Sequence, residues 1–519
     1  MDSKELMFQK YDQLIFRLFL VMIGTIPIII NMKNIDYVSP ILSRVNLIRT
    51  NSAIDTFSYY KFVALIAFSS VVMLIFILKC IRGYKVRQDL FTYSLLGFAF
   101  VALLAAYFSD TTYTALIGQF NRFEGAISYL LYVVLAIIAL NIRYPKMVHR
   151  SIAMAFIPFI TVNAILVMCV VWNIKLSDYS WFQQFLSLFM EDQMILTDRS
   201  LLMGTLNQWN NTSGFFACLI AFLITCFLID NQTNYKWMYL SLAGASFIVL
   251  VGNISTFGFF CVALFLVVVT FTTVYRKKWK DIIYLFTFGL FTLATTFLMS
   301  YSTTPLWDDV LGGRIWEESF GNSGVKLNHI EENREKLEIT SENSTRLPKK
   351  ETVVFEEDPY LSQQQYTLPV LPEAGNSVLS SRIYIWQQTL NILIEKPVFG
   401  YGMDTLLFHF PHFNIEARGG ISTEDLITDK PHSIYIGILY GTGILGFGLL
   451  SLMAVLIVRK VNFGVKQKQL RESLPFIALI AIYSLQGILY DSVVGSTFII
   501  FIVLGLLVNK LNQIARDSN

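Results

Sequence analysis

Long apolar stretches recur along most of this chain, and they constrain its fold more than any other feature. The hydrocarbon core of a bilayer is about 30 Å thick, and an α-helix needs about 20 apolar residues to cross it. Twelve stretches approach that length, and each is predicted to be a transmembrane helix: 14–30, 62–80, 90–108, 125–142, 151–172, 213–229, 237–251, 255–275, 282–300, 432–458, 474–490 and 495–508. The sequence therefore predicts an all-α polytopic membrane protein with about 12 transmembrane helices.

The composition agrees with a membrane protein and excludes some partners. Only 15% of the 519 residues are charged, against about 25% in soluble domains. The net charge is +3, and the basic residues lie in short loops rather than on one face, so no nucleic-acid partner is expected. The first apolar stretch, 14–30, carries no small-residue cleavage site, and we expect it to be retained as a span.

Basic residues in the short loops predict how the spans are oriented, because cytoplasmic loops carry an excess of Lys and Arg. With both termini in the cytoplasm, the inner loops and termini hold 21 Lys and Arg, whereas the short outer loops hold seven. We therefore expect both termini inside and four loops outside: 31–61, 109–124, 173–212 and 301–431.

The long loop 301–431 divides the predicted spans into two groups. The expected organisation is a membrane domain with nine spans over 1–300, a membrane domain with three spans over 432–508 and a cytoplasmic tail over 509–519. Within the loop, residues 321–378 are polar and highly charged, which predicts a mobile segment. Residues 380–418 contain aromatic residues, glycines and a helical pattern, so this part is predicted to be structured.

Unusual polar residues gather at the predicted outer ends of the spans. The middles of the spans hold almost no ionisable groups, and ion-coupled transporters usually need such groups near the midplane. The polar residues fall in four segments: 118–125, 204–214, 381–402 and 429–446. This distribution argues against ion-coupled transport and favours chemistry at the outer membrane surface.

Arginine and histidine have the clearest chemistry in these segments. Arginine binds phosphate bidentately, and histidine is the usual general base near neutral pH. Arg382 opens a predicted helix over 382–395, at an N-terminus whose dipole favours an anion. Ile383, Trp386, Leu390 and Leu393 recur on one face of this helix, which we expect to lie on the membrane domain. Such groups suit a lipid phosphate or diphosphate whose tail stays in the bilayer.

Each of these features also has a simpler interpretation. Arg122 could pair with Glu124 at the membrane interface, and the asparagines of 204–214 could cap a helix. His432 could hydrogen-bond at a helix start, since lone histidines usually do no chemistry. His409 and His412 show no metal-ligand spacing with His432, so no metal site is predicted.

Taken in order, several short motifs resemble the core signature of the O-antigen ligase and polymerase family. In the second half of the chain they are Arg382-(x)3-Trp386, Lys396-Pro397, Gly400-Tyr401-Gly402, Pro431-His432-Ser433 and Gly441-(x)4-Gly446. Gly204 to Gly214, with Asn207 and Asn211, is similar to the family's G-x-x-N-N-x-x-G motif. The segment 121–125 resembles its R-x-E-G box, and the resemblance covers roughly residues 90–508.

The resemblance implies a fold like that of the multi-span C-type glycosyltransferases and a reaction without a metal ion or other cofactor. The family acts on glycans attached to polyprenyl diphosphate in the outer leaflet. By resemblance, His432 would be the base that activates the acceptor hydroxyl, and Arg382 would bind the diphosphate. Supporting roles would fall to Glu124, Asn207, Asn211 and Trp386.

One element of the family pattern is missing. The family often has an S-R-G element where this chain reads Ser255-Thr256-Phe257-Gly258, without an arginine. A second diphosphate-binding arginine is therefore expected elsewhere, either Arg122 or Arg314.

These observations predict a cytoplasmic-membrane glycosyltransferase of the ligase type. Its donor would be a polyprenyl-diphosphate-linked glycan or teichoic polymer, and the favoured acceptor is a membrane glycolipid, as for a lipoteichoic acid ligase. The Lys-, Ile- and Asn-rich composition, typical of a low-GC Gram-positive bacterium, is the reason for that acceptor.

Three alternatives stay open at this point. A polymerase that joins lipid-linked repeat units is the nearest. A lipid-linked glycan flippase belongs to a different class and would need a charged central cavity. A cell-shape peptidoglycan polymerase would need a carboxylate base, and the sequence offers no convincing Asp placed like His432.

Overall fold

The computed structural model describes most of the chain outside the long loop. It covers residues 3–36, 52–172, 174, 176–190, 204–206, 208–253, 255–302, 382–412 and 428–517. Asn207, Arg314 and the whole segment 321–378 lie outside the described residues.

Helices make up nearly all of the described structure. In chain order they are α1 (Ser3–Thr25), α2 (Tyr59–Ile81), α3 (Leu90–Tyr107), α4 (Thr112–Ile117), α5 (Ala126–Leu140), α6 (Val148–Ala155), α7 (Ile157–Val171), α8 (Ser180–Leu186), α9 (Trp209–Ile229), α10 (Thr233–Gly252), α11 (Thr256–Tyr275), α12 (Trp279–Ser302), α13 (Arg382–Leu393), α14 (Leu406–His409), α15 (Ile434–Lys466), α16 (Leu474–Gln486) and α17 (Val494–Asp517). Strands β1 (Lys33–Asp36) and β2 (Ser52–Asp55) form a small antiparallel ribbon with Lys33 opposite Asp55.

Ten helical segments of the described chain are long and apolar enough to cross a membrane. This confirms the predicted all-α polytopic fold, with fewer full-length spans than the twelve expected. The predicted spans 125–142 and 474–490 correspond to α5 and α16, which have only 15 and 13 residues. Pro475 stands at the start of α16, where its fixed φ suits a first helical turn, and the helix already ends at Gln486.

Helix α9 lies at the centre of the fold. Within its apolar window, 94% of the residues are buried, against 28% in α11 and α12. Helix α9 packs against α10 and α16, which accounts for much of this burial. Helices α11 and α12 instead expose large side chains such as Phe271 and Phe297, as expected of surfaces that face lipid.

The loops at one end of the helices are tied together, and we call this end the site end. Lys61, at the start of α2, is buried, and its ammonium donates to the carbonyls of Ile29, Phe57 and Thr205 at 2.6–2.7 Å. Ser58 donates to the carbonyl of Asn121 at 2.8 Å. These bonds join loops from four parts of the chain.

The opposite end, called the basic end, is held by ion pairs. Lys79 pairs with Asp12 at 2.6 Å, and Arg150 pairs with Asp230 at 2.7 Å. Helix α17 continues to Asp517, so most of the expected tail 509–519 is helical. Asn509 is buried there and donates to the carbonyls of Leu140 and Ile142.

The long helix α15 is broken at Gly443, and the loop 397–402 fills the break. Gly443 has φ 63°, a conformation that glycine adopts without strain. The freed amide of Ile444 donates to the carbonyl of Pro397 at 2.9 Å, while Tyr401 donates to the carbonyl of Tyr440 at 3.0 Å. A Cβ at Gly443 would lie 2.2 Å from the Val398 carbonyl oxygen, so the two glycine motifs interlock through their backbones.

Helix α13 corresponds to the predicted helix 382–395, but a different face is buried. Its buried residues are Ile385, Thr389 and Leu393, whereas Ile383 is 50% exposed and Leu390 is 40% exposed. Ile385 packs in a small core with Tyr401, Leu406, Phe410 and Tyr440. The predicted packing face is therefore wrong in part, because the helix packs against its own loop and α15.

Candidate functional site

His432 stands immediately before α15 and contacts a carboxylate. Its backbone has φ 54°, a left-handed conformation that is uncommon outside glycine. Its Nδ1 lies 3.1 Å from Oδ2 of Asp491, and the imidazole is about one-third exposed. When Nδ1–H donates to this carboxylate, Nε2 is left unprotonated and can accept a proton.

Asp491 lies in the short connection between α16 and α17. Burial would raise the pKa of its carboxyl, but the charge of Lys430 and the hydrogen bond with His432 hold that pKa well below its usual range. The ionised carboxylate can therefore orient the imidazole and stabilise its protonated form. No Asp was singled out from the sequence for this region, and the structure shows Asp491 in contact with the ring of His432. The sequence signal that could have identified Asp491 is its position in the connection between the last two predicted spans. This connection falls on the same predicted side of the membrane as His432.

Lys430 bridges two of the polar segments. Its ammonium donates to Oε1 of Gln208 at 3.0 Å and lies 3.5 Å from Oδ2 of Asp491, and the side chain is only 7% exposed. Asn211, in the first turn of α9, donates to the same Gln208 oxygen at 3.5 Å. The start of α9 thus reaches the His432 loop through Lys430, which the sequence motifs did not single out.

Arg122 is buried and pairs with two carboxylates from distant parts of the chain. Its guanidinium lies 2.7 Å from Asp404 and 2.6 Å from Asp429, and it also donates to Gln119. Burial would lower the pKa of Arg122, but the two carboxylates raise it above its usual range. The simpler interpretation, a pair between Arg122 and Glu124, is therefore replaced by pairs with Asp404 and Asp429.

Glu124 is buried on the other side of the same loop. Its Oε1 accepts a hydrogen bond from the Tyr132 hydroxyl at 2.7 Å, and its buried Oε2 has no hydrogen-bond partner among the described residues. Burial raises the pKa of Glu124 to about 8. At neutral pH this side chain is mainly a neutral carboxylic acid that can donate a hydrogen bond.

Helix α13 reaches the His432 loop through Trp386, whose Nε1 donates to the Pro431 carbonyl at 2.8 Å. Arg382 lies one turn earlier on the same side of the helix. Burial raises the pKa of Tyr490, and the positive charge of nearby Arg382 opposes that rise. The charge of Arg382 thus acts on Tyr490, the neighbour of Asp491.

The chain around Ser255 meets the same region. Ser255 hydrogen-bonds with the Tyr490 hydroxyl, at the position where the family pattern has an S-R-G element. This part of the chain has no arginine of its own, but it lies beside the residue that Arg382 approaches.

A small cavity of about 50 Å³, with several charged residues in its wall, lies among these groups. Its lining includes Arg122, Glu124, Asp404, Asp429, Lys430 and Asp491. An apolar cavity of about 170 Å³ adjoins it and shares Tyr129, Ile434, Ile438 and Ser492. The cavity with charged residues therefore adjoins an apolar cavity between helices, an arrangement suited to an amphiphilic substrate.

A comparison with protein families gives a match over residues 200–451, to the family described as O-Antigen ligase. The chain carries an O-antigen ligase domain. The matched range begins before α9 and ends inside α15, so it contains Arg382, Lys430 and His432 but neither Arg122 nor Asp491. The family predicted from the motifs is confirmed over this range. No curated protein matches the chain.

The O-antigen ligase domain and the ten apolar spans together define the general class of the protein. It is a multi-pass membrane protein with a glycan-transfer function of the ligase or polymerase type. The family implies a lipid-linked glycan donor, an acceptor and membrane lipids as partners.

Proposed function

We propose that this protein is a membrane glycosyltransferase of the ligase type. It transfers a glycan or teichoic polymer from polyprenyl diphosphate to an acceptor hydroxyl at the outer face of the bacterial cytoplasmic membrane. The observation that carries the proposal is the 3.1 Å contact between Asp491 and His432, a residue of the O-antigen ligase domain with basic residues beside it.

In the proposed reaction, Nε2 of His432 takes the proton of the acceptor hydroxyl while the acceptor oxygen attacks the anomeric carbon of the donor. The bond from that carbon to the diphosphate oxygen breaks, and its electron pair leaves with the diphosphate. Direct displacement inverts the configuration at the carbon. Asp491 stabilises the imidazolium formed in this step.

The negative charge on the leaving diphosphate needs positive groups nearby. We propose Arg382 as the main diphosphate-binding residue and Lys430 as its companion, because both lie close to the Tyr490–Asp491 segment. Arg122 lines the 50 Å³ cavity together with Lys430, but Asp404 and Asp429 already compensate the charge of Arg122. This favours a role for Arg122 in shaping the cavity, with Arg314 as the other candidate from the sequence. No metal ion is part of this proposal.

The proposed orientation has both termini in the cytoplasm and the site end outside. Its support is the excess of Lys and Arg in the inner loops and termini, 21 against seven in the short outer loops, because segments rich in Lys and Arg stay in the cytoplasm. A donor whose glycan projects from the outer leaflet would then meet His432 directly.

The experiment that tests the proposal uses purified protein, a lipid-linked donor and a glycolipid acceptor. We expect the wild-type protein to convert the glycolipid acceptor to a larger, glycosylated product. The His432→Ala variant should lose this transfer while remaining folded in detergent. Full transfer activity of purified His432→Ala would contradict the proposed mechanism.

The same assay separates the alternatives. A single larger product from the glycolipid acceptor supports a ligase of the lipoteichoic acid type, whereas a ladder of longer glycans identifies a polymerase. Donor movement across vesicles without bond cleavage would support the flippase. The cluster of ionisable groups at the site end, rather than along a central path, favours transfer over transport.

A further inference from the structure

A crevice of about 770 Å³ opens at the basic end, far along the helices from His432. It lies between α9, α11, α15 and α16. Its walls are largely apolar and include Leu228, Phe265, Val269, Leu470 and Ile477. Four basic residues stand at its rim: Arg276, Lys278, Lys468 and Arg471.

The charge of this rim is not compensated from within the crevice. None of the described lining residues is acidic. The acidic residues next to the rim on the surrounding elements are engaged elsewhere: Asp230 with Arg150, Asp281 with Lys236 and Glu472 with Lys510. Arg276, Lys278 and Lys468 are exposed, while Arg471 donates to the Ile229 carbonyl at 2.7 Å.

Aromatic residues place the rim at the depth of lipid headgroups. Tyr275 is 81% exposed and Trp279 is 68% exposed, on either side of Arg276 and Lys278. Exposed Tyr and Trp mark the boundary between membrane and water. Deeper along α11, Phe271 is 73% exposed, as expected of a side chain in contact with lipid tails. The crevice therefore runs from headgroup depth into the hydrocarbon region.

We propose that this crevice binds one anionic phospholipid of the membrane. The phosphate lies among Arg276, Lys278, Lys468 and Arg471, and an acyl chain fills the apolar space between α11 and α16. Basic pockets between transmembrane helices favour acidic headgroups because the net charge of a zwitterionic headgroup is zero. The site is independent of the proposed transfer reaction.

Native mass spectrometry of the full chain in detergent tests the proposal, with phosphatidylglycerol and phosphatidylcholine of identical acyl chains as probes. The Arg276→Gln/Lys468→Asn variant removes two rim charges, and Asn suits the left-handed backbone of Lys468. We expect its affinity for phosphatidylglycerol to fall by about thirty-fold, since each basic residue near a headgroup contributes roughly fivefold. The control Lys85→Gln/Lys146→Gln removes two exposed charges outside the crevice and should bind like the wild type.

A second variant tests the apolar half of the site without changing charge. Ala478→Phe fills the crevice from α16 and should also lose phosphatidylglycerol, even if the charge variant fails to fold. Equal binding of the two lipids, or wild-type affinity in both variants, would overturn the proposal. Displacement of the lipid by millimolar inorganic phosphate would assign the rim to a soluble anion and overturn it as well.

Discussion

The proposed chemistry depends on a contact between two side chains that are 59 positions apart, His432 and Asp491. The ammonium of Lys430 lies 3.5 Å from the same carboxylate oxygen of Asp491. An imidazole between bulk water and a largely buried carboxylate has a defined tautomer and a defined direction. The contact therefore converts a common residue at a helix start into a candidate base.

Replacing Asp491 by Asn tests this contact at the residue scale. The amide cannot stabilise an imidazolium by charge, so we expect transfer to fall by about 10²–10⁴-fold with little change in the amount of folded protein. The measurement is the initial rate of acceptor glycosylation by purified protein. Glu472→Gln, a change to an exposed carboxylate at the basic end, is the matched control and should keep full activity. Equal rates for both variants would remove Asp491 from the mechanism.

Glu124 predicts a pH dependence of stability. Burial raises its pKa from about 4.5 to about 8 in the folded protein, so the folded state holds a proton that the unfolded state has lost. This stability is fully present below pH 4.5 and is lost as the pH rises through 8, at up to about 1.4 kcal/mol per pH unit. The melting temperature in detergent should therefore fall less between pH 6 and 8 for Glu124→Gln than for the wild type. Parallel pH profiles would show that Glu124 is ionised in the folded state.

At the scale of elements, the interlock between the 397–402 loop and α15 fixes the position of α13. The break at Gly443 frees a backbone amide, and the Pro397 carbonyl uses it. The glycines of both motifs therefore allow the backbone of the 397–402 loop to lie directly against the backbone of α15. Because α13 and the loop share a small core with Tyr440, the position of Arg382 depends on this interlock.

The variant Gly443→Ala should open the interlock. The new Cβ would lie 2.2 Å from the Val398 carbonyl oxygen, and alanine at φ 63° adds about 1–3 kcal/mol of backbone strain. We expect lower thermal stability and loss of most transfer activity. Gly448→Ala on the same helix meets nothing within 4 Å and should stabilise the protein by about 0.5–1 kcal/mol. Similar melting temperatures for the two variants would contradict the interlock.

At the scale of the whole molecule, polar groups are separated between two ends. The site end collects the carboxylates and basic residues around His432, and the basic end collects ion pairs and the phospholipid crevice. Lipid-facing helices such as α11 and α12 surround the buried α9. The proposed orientation assigns these ends to opposite sides of the membrane.

Cysteine labelling measures this orientation. In a cysteine-free background, Tyr113→Cys at the site end should react with an impermeant maleimide on intact cells, because Tyr113 is 77% exposed. Lys278→Cys at the basic end should react only after the membrane is permeabilised. The reverse pattern would invert the proposed topology and place the transfer reaction in the cytoplasm.

The sequence by itself determined the apolar helices and the O-antigen ligase domain of this protein. Insertion of a helix into lipid depends on the length and composition of one continuous segment, so ten spans could be predicted without knowing their neighbours. The order of short motifs likewise identified the O-antigen ligase family.

Only the tertiary structure decided which polar groups meet. It brought Asp491 to His432, and it paired Arg122 with Asp429, 307 positions away, rather than with Glu124. The tertiary structure also determined which face of α13 is buried. That face packs against the loop that follows the helix and against α15. These contacts depend on how helices distant in sequence pack around α9, and no local pattern of residues contains that geometry.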